Sequence, residues 1–96
     1  MKALKDLTPE ECIKIASIVE PDVEWKFIQS TSKWDGFDLV EKDCQNPLKA
    51  KHIFQIDYRA AEELKDQPRF RIYDENLFEF GVGSKMVLIL AYLQSI

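Results

Sequence analysis

Few residues in this chain are suited to covalent chemistry. There are two cysteines, Cys12 and Cys44, and one histidine, His52. A nucleophilic site needs a thiolate, a base in reach and a third group to orient that base. Cys44 and His52 supply one of each, eight residues apart, with no third partner marked by its spacing. His52 falls on the apolar side of a strand or at its edge, so a packed histidine is the expectation. Cys12 falls on the buried stripe of a helix and reads as inert packing. A structural zinc site takes four Cys/His ligands at short paired spacings. Three candidates spread over forty residues cannot supply one. The expectation is a non-enzyme with no catalytic residue, no metal and no cofactor.

Other patterns are weaker still. Gly81-Val82-Gly83 before a helix begins like a phosphate-cradling loop, because helix N-termini attract anions. It lacks the third glycine and the Gly-Lys-Ser/Thr ending, and it follows the strands instead of opening a first βα unit. A plain turn is expected. The carboxylate pairs are Glu10-Glu11, Glu62-Glu63 and Asp74-Glu75. Adjacent residues on a helix do not face each other, and the first pair suits an N-terminal helix dipole. No calcium-loop or zinc-protease pattern occurs.

Binding chemistry is better represented. If Phe70 and Ile72 point into a core, Arg69, Arg71 and Tyr73 point away from it. The same alternation sends Ile53, Gln55 and Asp57 outward on one strand, and Lys26 and Ile28 on another. Arg and Tyr are enriched at the centres of protein interfaces, and an exposed Trp34 near a hairpin tip would be a further anchor. The binding candidates are Lys26, Trp34, Ile53, Arg69, Arg71 and Tyr73. The plainer alternative is a solvated face with cross-strand charge pairs, and a Trp34 folded back over the sheet edge.

Charge narrows the partners. Lys plus Arg is 13 and Asp plus Glu is 17, a net charge of −4. Nucleic-acid binding draws its affinity from cations that neutralise phosphate, and here no run of basic residues exceeds two. RNA-stacking sheets display more aromatics in a basic field. No nucleic acid is expected. The first residues lack the apolar segment of a signal peptide, so a cytoplasmic location with free thiols is expected. Residues 86–96 hold nine apolar residues in eleven and no charge. A membrane-spanning helix needs about 20, so no membrane partner is expected either. This segment reads as a terminal helix that completes the core or meets a second protein.

The elements that must position these residues follow from periodicity. At 96 residues and 46% hydrophobic content the chain suits a single domain, 1–96. Thr8, Pro9 and Glu11 form the cap, first turn and capping box of a helix, with Leu7 and Cys12 as its hydrophobic staple. That helix runs to about Val19, with Cys12, Ile15, Ala16 and Val19 along one stripe. Residues 23–27 alternate as a strand, with Val23, Trp25 and Phe27 on one face. Asp35-Gly36 signals a type I′ hairpin turn before a strand at 37–43. A two-residue turn there conflicts with the alternation, since it puts Leu39 and Trp25 on opposite faces. A bulge or wider loop within residues 30–33 is the expected remedy. Further strands are expected at 51–58, 69–74 and 77–80, with a short helical stretch at 59–65. A final helix covers residues 85–94, capped by Ser84.

The fold class is therefore α+β. An antiparallel sheet of four to five strands carries the N- and C-terminal helices on one face, in the order α-β-β-β-short α-β-(β)-α. The function expected is a small, acidic, protein-interaction module that binds a protein partner or assembles as a homo-oligomer. The alternative is a small-molecule-binding domain or minor enzyme with a pocket between sheet and helices, where Cys44, His52, Tyr58 and Tyr73 would be the polar groups.

Overall fold

A computed structural model describes residues 3–28, 36–57, 69–74 and 79–96 of the chain. They form an α+β arrangement of two helices and an antiparallel sheet. Helix α1, Pro9–Val19, starts with the predicted cap. The Thr8 hydroxyl accepts the Glu11 N–H at 3.2 Å, and the Glu11 carboxylate accepts the Thr8 N–H at 2.8 Å. Two amides that a helix start leaves without partners are thereby satisfied. Cys12, Ile15, Ala16 and Val19 are all buried, as their spacing requires. The helix closes at Glu20, and Pro21 follows.

Strands β1 (Trp25–Ile28), β2 (Gly36–Glu41) and β3 (His52–Asp57) pair antiparallel in sequence order. Strand β4 (Arg69–Asp74) pairs with β3, and β5 (Glu79–Gly81) pairs with β4. The β1–β2 register removes the conflict in the hairpin. Trp25 lies opposite Glu41 and Phe27 opposite Leu39. These pairs are symmetric about position 33, not about Asp35-Gly36. Trp25, Phe27, Phe37 and Leu39 therefore share one face with Phe54 and Ile56. Gly36 lies within β2, and a register centred on Asp35-Gly36 would turn Trp25 and Phe27 away from the core. The expected bulge at residues 30–33 and the helical stretch at 59–65 lie outside the described residues.

Gly36 has a different purpose. It sits within β2 opposite Asp57, and a Cβ there would run into the Ile56 carbonyl. A glycine inside a strand commonly marks such a close backbone approach.

The main core lies between this sheet face and the helices. Trp25 meets Phe54 edge-on at 6.0 Å between ring centroids, and Phe54 stacks on Phe70 at 6.4 Å. Phe27 packs against Phe37 at 5.7 Å. Leu7, Cys12, Ile15 and Leu39 belong to the same cluster, as do Ile89 and Leu93 from the final helix. Full burial of a side chain such as Phe54 stabilises the fold by about 1.5–3 kcal/mol. The Trp25 indole N–H donates to the Glu20 carbonyl at 3.3 Å, joining the end of α1 to β1.

Helix α2, Met86–Ser95, is entered through a 3-10 turn, Gly83–Lys85, that begins with Gly83 at φ +54°. Left-handed backbone of this kind suits glycine. Ser84 does not cap the helix as expected; it lies inside the turn, and no side chain caps α2. A capping hydroxyl works from an extended residue, whereas Lys85 is already helical at φ −72°, ψ −11°. Lys85 instead donates from Nζ to the Val19 carbonyl at 2.9 Å. This ties the start of α2 to the negative end of the α1 dipole.

Candidate functional site

Helix α2 carries no charged residue. Ile89 and Leu93 are buried, and Met86, Tyr92 and Ile96 lean on the same core. The rest of the helix faces out: Val87 is 71% exposed, Leu88 55% and Leu90 37%. Ala91 is exposed beside them. At 3.6 residues per turn these positions cover the side opposite Ile89 and Leu93. The outcome is a neutral apolar surface on the outside of the molecule.

The second candidate surface is the far face of the sheet. Alternation puts Lys26, Ile28, Val40 and Ile53 there, opposite Trp25, Leu39 and Phe54. Part of that face is covered. The segment joining β2 to β3, residues 42–51, brings Cys44 and Ala50 onto Val40, with Ile28 and Ile53 packed alongside. This small cluster is separate from the main core.

Polar contacts fasten the segment at each end. Lys26 Nζ donates to the Cys44 carbonyl at 2.6 Å. The Glu41 carboxylate accepts the Lys51 N–H at 2.6 Å with one oxygen and the His52 N–H at 2.9 Å with the other. Between them, Asn46 Oδ1 accepts the Leu48 N–H at 3.1 Å, and the Cys44 thiol donates to the Asn46 carbonyl at 3.1 Å. Burial alone would push the Glu41 carboxyl up. These two amides, Glu41's own amide and the nearby His52 together outweigh it and hold Glu41 below the ordinary glutamate value. At the turn of the segment, Leu48 is 95% exposed.

The sequence-derived candidates divide accordingly. Lys26 anchors the 42–51 segment, and Ile53 is half-buried beneath it. Arg69, Arg71 and Tyr73 alternate with Phe70 and Ile72 along β4, at register positions opposite Asp57, Gln55 and Ile53. Trp34 and Tyr58 lie outside the described residues. Cys44 packs on the Ile53 side of β3, whereas alternation assigns His52 to the Phe54 side. The sheet thus lies between the proposed nucleophile and base. Burial, with the Glu11 charge adding to it, pushes the Cys12 thiol up to about 12.

The 42–51 segment and its fasteners were not evident from sequence. Asn46-Pro47 marks a turn, but nothing distinguishes Glu41 as its clasp among 17 acidic residues. Among the described residues, no group of three or more His, Cys, Asp or Glu could hold a metal ion, and no helix is long and apolar enough to cross a membrane. The chain matches no protein-family model, and neither curated protein sequences nor solved structures yield a match to it.

Proposed function

We propose that this chain is a non-enzymatic protein-interaction module that uses the outer face of α2 to meet a protein partner, self-association being the form to test first. The observation that carries the reading is the exposure of Val87, Leu88 and Leu90 on a helix without charge. Side chains of this kind each gain about 1.5–3 kcal/mol when fully buried. A neutral face also meets a copy of itself without like-charge repulsion. The helix has 10 residues, so its outer face is about 15 Å long. That length limits the patch to a few hundred Å², well below the roughly 800 Å² per partner of a standard interface. Association through α2 alone is therefore weak and transient.

Lys26, Ile53, Arg69, Arg71 and Tyr73 make up a second proposed contact region on the sheet, and Trp34 is a separate proposed anchor. The reading takes the whole chain as one cytoplasmic domain of four to five strands, with both terminal helices on one face. A net charge of −4 weighs against nucleic acid as the partner.

Sedimentation velocity across a concentration series tests the proposal. The wild-type chain is expected to populate a dimer in the upper micromolar range, and Leu88→Glu to weaken it at least tenfold. A wild-type chain that stays monomeric at millimolar concentration removes self-association through α2.

A further inference from the structure

We infer that residues 42–51 form a latched strap that opens as a unit, apart from the main fold, and uncovers an apolar patch made by Ile28, Val40 and Ile53. The strap covers its own cluster, whose buried members are Val40, Cys44 and Ala50 and include none of the main core. Opening it leaves the main core of Ile15, Phe54 and Ile89 intact. Its fasteners sit at its two ends: Lys26 on the Cys44 carbonyl, and Glu41 on the Lys51 and His52 amides. Residues 45–49 between them are exposed throughout, and the apex Leu48 is almost wholly in solvent. Segments with little buried apolar surface open at lower free energy than the global fold. Both fasteners are charge-assisted, and Glu41 makes two such bonds to the one made by Lys26, which makes Glu41 the latch.

The two cysteines report on the two clusters. Cys12 is fully buried in the main core, and Cys44 is a residue of the strap itself, buried against Val40 while the strap is closed. Both thiols are free. Cys44 serves here as a reporter and not as a reactive group of its own.

The test is alkylation of the native full chain by an uncharged thiol reagent, read by mass spectrometry at each cysteine and normalised to the rate in the unfolded chain. In the wild type, Cys44 is expected to react at least tenfold faster than Cys12, with a weaker dependence on denaturant. Glu41→Gln is expected to speed Cys44 about tenfold further and leave Cys12 unchanged. Lys26→Met, at the other fastener, is expected to act in the same direction. Equal protection and equal denaturant dependence at the two cysteines would overturn the inference. So would Cys44 reacting at its unfolded rate in the wild type, since no closed strap would then exist, or both variants changing the two cysteines in step.

Discussion

Helices α1 and α2 are close in length, 11 and 10 residues, and they close the same core. Their sequences solve the task differently. In α1 four residues are buried, Glu10 and Lys14 are in solvent, and a capping box closes the start. In α2 two residues are buried, no side chain caps the start, and three large aliphatic side chains are exposed. The pattern of α1 specifies which face is inward. That of α2 does not, because every face carries apolar side chains, and its orientation follows from the space that α1 and the sheet leave open. An amphipathic helix encodes its own solvent boundary. A uniformly apolar one leaves that boundary to its surroundings, and surplus apolar surface remains outside.

The sharpest test of this contrast compares Ile15→Ala in α1 with Ile89→Ala in α2. Both side chains are fully buried, and large-to-small changes at such sites cost about 2–5 kcal/mol. Urea unfolding is expected to give losses of that size at both positions. A loss below about 1 kcal/mol at Ile89 alone would mean that α2 is docked on the fold and is not part of its core. Smaller effects are expected at the helix starts. Thr8→Ala removes the capping hydroxyl and should cost about 1 kcal/mol. Lys85→Met removes the bond to the Val19 carbonyl and should cost about 1–2 kcal/mol, measured by the same unfolding curves. If Lys85→Met is silent, the side-chain tie between the helices contributes nothing and packing alone joins them. The smallest effect belongs to the outer face of α2. Leu88→Lys should change stability by no more than about 0.5 kcal/mol, because Leu88 is already 55% exposed. A large loss there would show that the outward face supports the fold.

The contrast also explains which parts of the fold were legible in the sequence. Helix α1 was readable because cap, proline, box and stripe agree on one start and one face. Strands β1 to β3 were readable from alternation, and the register of Phe27 on Leu39 follows from it once burial is weighed above turn propensity. Gly36 misled because the dipeptide that signals a hairpin turn also suits a strand where two backbones come close. Ser84 misled because residue type does not reveal whether the preceding backbone is extended or already helical. The strap was hidden for a related reason. Its fasteners are side chains gripping backbone atoms, as Glu41 grips the Lys51 and His52 amides. Any acid near a chain reversal could do the same, so residue type alone does not identify the one that does.

One edge of the sheet is β1, a strand of 4 residues with Lys26 inside it. An edge strand carrying a lysine is a poor template for a further chain to extend. Fibril growth by strand addition is disfavoured at that edge, even where helix surfaces bring molecules together. Under the proposal that copies meet through the outer face of α2, a symmetric contact of this kind would close on itself as a pair.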